Sequence, residues 1–478
     1  FRRSRSHPSG DEVMQKLDIT VKELCEILES SPVGLSARAA KRKVNLCLDS
    51  REAGPGVVFW PLKGARFDAH SFIPEVMKKG ALMSVMDAGR ANESLADVYV
   101  PVDDSNQALL KLAKGYQRLF SVKKIAVTGS NGKTTTKEML KAVLSAQFKT
   151  MATEGNLNNQ IGVPKTLFRL KHSDEVAVVE MGTNAPGEIH PLSMAVEPDI
   201  AVITNIGASH LERLQDLDHV FKEKVTITDG LKKNGLLVVN ADDSRLSKLR
   251  TNKSYRVLTF GIKRGVIKPE NLKWDANACA SFKIGRTEFH LSVPGIHNVY
   301  NALAAIAVAT SLRMPKSVIA DALEKFHAAN MRMEIRNGVG IKVVSDCYNA
   351  NPSSTRMALQ TIGAITNAGR KIAILGDMLE LGDKAEDLHH EIGELVPQMK
   401  FDMLVAVGKL SRNTQKGALD AGMEKDCAVH FETVEEAMEF LSENVHFGDV
   451  LLVKGSRGMK MEQVVDKLLR LEPAMTNK

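Results

Sequence analysis

Ile125-Ala126-Val127-Thr128-Gly129-Ser130-Asn131-Gly132-Lys133-Thr134-Thr135-Thr136 places an apolar run, a glycine-bearing turn, a lysine and a row of hydroxyls in that order. The order suits phosphate. Glycines let backbone N–H groups converge on phosphate oxygens at a helix start, where the helix dipole favours negative charge. Lys133 would neutralise β- and γ-phosphate charge, and the Thr134 hydroxyl would ligate Mg²⁺. The usual spacing of such a loop puts glycine at 127, where valine stands, so this is a shortened form, Gly-x-x-Gly-Lys-Thr-Thr. A guanine-reading Asn-Lys-x-Asp is absent: its nearest likeness, Asn252-Lys253-Ser254-Tyr255, lacks the acidic residue.

The elements that must position this loop follow from the rhythm of the chain. Ile125-Ala126-Val127 predicts a strand, and Met139, Leu140, Val143 and Leu144 predict the apolar face of the helix after the loop. Val176–Val179, Ile200–Ile203 and Leu236–Val239 predict further strands of a parallel sheet with helical crossovers. Each ends in a polar residue, where an open α/β sheet places its ligand. The rhythm restarts near residue 330, with strands at 342–344, 372–375, 404–407 and 450–453, as in a smaller Rossmann-like domain. Ahead of the loop, Thr20–Glu29 has helical spacing behind a Thr cap. The expected α/β architecture therefore has three domains after a disordered tail at 1–11. They are a small α/β domain at 12–103, a central P-loop-type ATPase domain at 104–330 and a C-terminal domain at 331–478.

Composition sets limits on partners. The chain has 478 residues, too many for one core at about 150 residues per domain. Its apolar fraction of 44% and charged fraction of 25% are those of a soluble globular protein and exclude a disordered or fibrous one. No apolar run reaches the length of a membrane span. A net charge of +7 and an aromatic share of 5% argue against a stacking platform for nucleic acid, and leave a polyanionic small molecule as partner. Five scattered cysteines form no C-x-x-C, which fits a reducing cytosol.

Further motifs join the loop: Gly155-Asn156-Leu157-Asn158-Asn159-Gln160, Glu180-Met181-Gly182-Thr183-Asn184, Thr204-Asn205, and Ser209-His210-Leu211-Glu212. Later come Asp346-Cys347-Tyr348-Asn349-Ala350-Asn351-Pro352, Gly376-Asp377-Met378-Leu379-Glu380-Leu381-Gly382 and Lys454-Gly455-Ser456-Arg457-Gly458. Together they resemble the Mur ligase family of ATP-dependent amide-forming enzymes, from about residue 49 to 460. Within it, the Asn156-Leu157-Asn158-Asn159 run and the last three motifs resemble those of the member that adds D-Ala-D-Ala to UDP-MurNAc-tripeptide. The Asp-Asn-Pro-Arg motif of the diaminopimelate-adding relative is absent.

The resemblance implies transfer of the γ-phosphoryl group of ATP to a carboxylate, then attack of an amine on the acyl phosphate. It implies ATP contacts at Gly129, Ser130, Asn131, Gly132, Lys133, Thr134, Thr135, His297, Asn298, Asn301, Arg332 and Asp346. Ser50, Arg51 and Asn158 are implied substrate contacts, the first two at the UDP end. Two Mg²⁺ ions are implied, held by Thr134, Glu180, His210 and Lys224. Lysine at its ordinary pKa near 10.4 is a cation and no ligand. The resemblance therefore implies that Lys224 reacts with CO₂ to a carbamate; Lys222 is a neighbouring candidate, and the spacing from His210 favours Lys224. Read alone, Lys224 is an ordinary exposed helix lysine, His210 a structural histidine, and Asn298 an N-cap of a core helix. Lys133, Glu180, His210 and Lys224 are the implied catalytic set. The implied protein is a cytoplasmic monomer. Competing readings are a sibling or folylpolyglutamate-synthase-like ligase adding one amino acid, and a nucleotide-dependent switch without chemistry.

Overall fold

The computed structural model describes residues 14–64, 67–208, 211–327, 331–366 and 369–471. The expected tail and His210 lie outside these residues. The first sheet has five strands in chain order, Met14–Thr20, Lys43–Cys47, Val58–Phe59, Met83–Asp87 and Tyr99–Val102. Its first pair is antiparallel and the others are parallel. Thr20 caps the helix Val21–Leu28 as expected: its hydroxyl accepts from Glu23 N, and the Glu23 carboxylate accepts from Thr20 N.

The change of sheet after Val102 is not a break in packing. Asp104 caps the helix Ser105–Gln117, which lies between the first and central units. Lys111 Nζ reaches back to Leu28 O at 2.9 Å, and Gln117 Nε2 reaches forward to Glu197 Oε2 at 2.9 Å. One apolar cluster runs from Leu24 and Trp60 through Leu109 and Tyr116 to Phe168 and Leu192.

The central sheet is wholly parallel, in the order Tyr255–Phe260, Gly235–Asn240, Ile200–Ile203, Lys123–Thr128, Val176–Glu180, Thr150–Ala152. Its strands are apolar on both faces because both are covered. Ile125, Val127 and Val202 pack against helices Lys133–Ser145 and Ile296–Ser311, whereas Ala126, Ala201 and Ile203 face the side of Leu167 and Leu192. The four expected strands are present. The structure adds the two edge strands and an antiparallel meander, Glu270–Trp274, Cys279–Ile284 and Thr287–Pro294.

The third sheet runs Glu334–Asn337, Lys342–Ser345, Val450–Lys454, Lys371–Gly376, Met403–Val407, Ala428–Phe431, antiparallel only at its first pair. Helices Pro352–Gly363 and Ala385–Gln398 cover one face, and Val434–Asn444 and Glu462–Leu468 the other. Among the described residues, no helix is long and apolar enough to cross a membrane.

Candidate active site

A cavity of about 1090 Å³ opens where the three units meet, at the carboxyl ends of the central strands. The phosphate loop forms its floor. Gly129 has φ 149°, and a Cβ there would sit 1.8 Å from Thr204 Oγ1; Gly132 has φ 79°, and a Cβ would sit 2.3 Å from Asn301 Oδ1. Both positions exclude a side chain.

The loop's N–H groups divide into two sets. Ser130 N donates to Asn205 O and Asn131 N to Asn205 Oδ1, both at 3.0 Å. The Ser130 hydroxyl is tied to Gly207 at both its O and its N. These groups brace the loop. The N–H groups of Lys133, Thr134 and Thr135 open the helix Lys133–Ser145 and meet no acceptor among the described residues. They are the donors a phosphate would use.

Lys133 Nζ folds back onto Gly129 O at 2.7 Å and Ser130 O at 3.3 Å. Burial draws its amine below the ordinary lysine range; Glu180 opposes that shift and Arg332 adds to it. Thr134 Oγ1 donates to Glu180 Oε1 at 3.2 Å, and Asn158 Nδ2 to the same oxygen at 2.8 Å. Glu180 is buried at the end of its strand, and its Oε2 has no hydrogen-bond partner among the described residues. An unpaired buried carboxylate oxygen beside a hydroxyl is a hard-oxygen donor set suited to Mg²⁺.

Lys224 is not the exposed helix lysine that its type and place suggest. It is 1% exposed, whereas Lys222, two residues earlier on the helix Leu217–Val225, is exposed. Among the described residues no hydrogen bond or ion pair reaches the Lys224 amine. Burial and the charge of Lys133 hold it well below the usual range, against a smaller opposing pull from Glu223. The Glu223 carboxylate is already engaged, accepting from Gly187 N, Glu188 N and Ile189 N at 2.7–3.0 Å.

On the opposite wall, Asn298 is not the cap of its helix. Gly295 stands at that position, and Asn298 Nδ2 donates to Pro294 O while its Oδ1 accepts from Asn301 Nδ2. Asn301 Oδ1 in turn accepts from Thr136 Oγ1 at 3.2 Å, joining this helix to the phosphate loop. Burial pushes the His297 imidazole down to about 4, and its Nδ1 has no partner among the described residues. From the third unit, the Arg332 guanidinium lies 4.0 Å over the Tyr348 ring, and Lys454 Nζ meets Asp346 Oδ2 at 2.7 Å.

Ser50 and Arg51 are not brought to this cavity. Arg51 is exposed, with its guanidinium on Asp49, and Ser50 O accepts from Lys79 Nζ at 3.1 Å. Sequence reasoning did not single out Asp242, which lines the cavity. Burial alone would raise its carboxyl, but donation from Lys263 N, the Tyr300 hydroxyl, Ile262 N and Arg264 N holds it below the usual range. The signal was its place in Asn240-Ala241-Asp242-Asp243, directly after a buried strand.

Residues 127–309 match the Mur ligase middle domain, and residues 331–457 match the Mur ligase glutamate ligase domain. The UDP-N-acetylmuramoyl-tripeptide–D-alanyl-D-alanine ligase of Bacillus subtilis is 37% identical over 426 residues, covering 88% of this chain and 92% of that one. The Escherichia coli ligase of the same name is 31% identical, covering 95% and 98%. MurF from Acinetobacter baumannii superposes with a TM-score of 0.84 at 30% identity, covering 95% and 100%. MurF from Thermotoga maritima, solved in complex with ADP, gives 0.80 at 28% identity, covering 89% and 97%.

Proposed function

This chain belongs to the Mur ligase family, and from that premise we propose that it joins D-Ala-D-Ala to UDP-MurNAc-tripeptide with ATP, in the cytoplasm and as a monomer. The observation that carries the reading is the single cavity in which the phosphate loop and Glu180 face Arg332, Asp346 and Lys454 of the third unit. Two anions, a nucleotide phosphate and a carboxylate, must approach one another there. Lys133, Arg332 and the N–H groups of 133–135 supply the positive field that such an approach needs.

In the proposed sequence the carboxylate oxygen of the tripeptide attacks the γ-phosphorus and ADP leaves. The amine of D-Ala-D-Ala then attacks the acyl carbon, and phosphate leaves with the acid's oxygen. Enclosure between three units keeps water from the acyl phosphate. Thr134 and Glu180 would hold one magnesium ion, with Asn158 orienting the carboxylate; His210 and the carbamate of Lys224 would hold a second. When bound, magnesium supplies charge neutralisation for the transferring phosphoryl group. Lys224 suits the modification because burial and the nearby charge of Lys133 disfavour its protonated form: the amine nitrogen bonds to CO₂ and releases one proton, leaving a carbamate anion. At the distal end, Ser50 and the exposed Arg51 are the proposed contacts for the UDP group. His297, Asn298 and Asn301 are the proposed contacts near adenine.

The test is to supply Mg-ATP and UDP-MurNAc-tripeptide with D-Ala-D-Ala, single amino acids or no amine. Phosphate release that depends on the dipeptide, with a dipeptide-sized gain in product mass, is expected. Equal turnover with a single amino acid, or phosphate release without mass gain, would overturn the reading.

A further inference from the structure

Asn131 in the phosphate loop and Asn351 in the third unit are 220 positions apart, yet Asn351 Nδ2 donates to Asn131 Oδ1 at 2.8 Å. The orientation of both amides follows from a helix cap. Asn351 Oδ1 accepts from Ser354 N at 2.9 Å, and Ser354 Oγ accepts from Asn351 N at 3.1 Å, closing a capping box on Pro352–Gly363. With Oδ1 committed to the cap, Nδ2 is the atom left for Asn131, so Asn131 must present its oxygen and turn its own Nδ2 away.

That second nitrogen is buried and has no acceptor among the described residues. The rest of Asn131 is engaged: its N donates to Asn205 Oδ1, and its O accepts from Thr204 Oγ1 at 2.6 Å and Asn205 Nδ2 at 3.0 Å. Both asparagines line the cavity. Beside them, a Cβ on Gly207 would stand in ordinary contact, 3.6 Å from both Asn131 Nδ2 and Ser353 Oγ, so the glycine leaves methyl-sized space next to the amide nitrogen.

We propose that Asn131 is a positioning residue that couples the two faces of the cavity. Its Nδ2 donates to a phosphate oxygen of the bound nucleotide while its Oδ1 holds the start of the third unit's first long helix. Anion binding to the loop and docking of the third unit then favour one another equally, as linkage requires. The proposal rests on the nucleotide reading of the loop.

Asn351→Ser retains a helix cap but is too short to reach Asn131. The experiment measures ADP and ATP affinity by calorimetry, and the distance between spin labels on the central and third units. Asn351→Ser is expected to weaken nucleotide binding about fivefold, the worth of one hydrogen bond, and to broaden the distance distribution. Asn131→Ala, which touches no helix cap, loses the phosphate contact as well; it is expected to weaken binding further and to broaden the distance distribution, and the double variant to be no worse than Asn131→Ala alone. Additive losses, or an unchanged distance distribution in Asn131→Ala, would overturn the coupling while leaving the ligase reading intact. Failure of the unaltered protein to bind nucleotide would overturn both.

Discussion

Asn158 Nδ2 donates to Glu180 Oε1 at 2.8 Å, on the oxygen that Thr134 also reaches, and leaves Glu180 Oε2 buried without a partner among the described residues. Asn158 therefore aims the carboxylate. Glu180→Gln replaces an acceptor-only group with one carrying an N–H donor, and should lower kcat by at least about 10²-fold at any Mg²⁺ concentration. Asn158→Ala should cost about 10- to 100-fold, much of it recovered by raising Mg²⁺. Phosphate release followed across a Mg²⁺ titration checks both.

Lys224 is buried and, among the described residues, unpaired; burial first and the charge of Lys133 second lower its affinity for a proton. Lys224→Ala should abolish turnover, and an added short carboxylate should restore part of it. Lys222→Ala, at an exposed position on the same helix, should leave turnover unchanged. With ¹³C-bicarbonate, the unaltered protein should show a carbamate resonance that Lys224→Ala lacks. Full activity in Lys224→Ala would end the carbamate proposal.

The strands around the site were legible because a parallel sheet covered on both faces leaves continuous apolar runs, as at Val176–Glu180 and Val450–Lys454. The meander was not. Glu270–Trp274 is mostly exposed and carries Glu270, Asn271 and Lys273, so nothing in its pattern marks a strand. The phosphate loop could be read because its function demands glycines, a lysine and hydroxyls in sequence order. The burial of Lys224 beside the exposed Lys222 is decided by packing against other elements, which helical spacing alone does not encode. The pairing of Asn131 with Asn351 joins two units and leaves no local trace at all.

His297 makes stability depend on pH. Burial lowers its folded-state pKa to about 4, whereas the unfolded chain protonates near 6.5. Above pH 6.5 neither state carries the proton, and the stability is complete. Between about 6.5 and 4 the unfolded chain binds a proton that the folded chain refuses, so stability declines as pH falls through that window and levels off below it. The urea midpoint of the unaltered protein should fall more steeply from pH 7.5 to 4.5 than that of His297→Gln. Parallel profiles would show that His297 is not buried in its neutral form.

Gly129 and Gly155 separate two costs that glycine usually carries together. Both have positive φ, 149° and 52°, but a Cβ on Gly155 would meet nothing within 4 Å, whereas one on Gly129 would strike Thr204 Oγ1 at 1.8 Å. Gly155→Ala should cost only about 1–2 kcal/mol, the strain of the backbone conformation. Gly129→Ala adds the collision to that strain and displaces Thr204, whose hydroxyl holds Asn131 O. It should therefore cost more than about 3 kcal/mol and destroy nucleotide binding. Adding Thr204→Ala removes the nearest atom but leaves Thr204 N at 3.1 Å and the φ strain, so stability should return in part while the loop stays slack. Chemical denaturation of the three variants, with ADP binding on each, checks the order. Equal losses for Gly129→Ala and Gly155→Ala would mean that the loop does not press against Thr204.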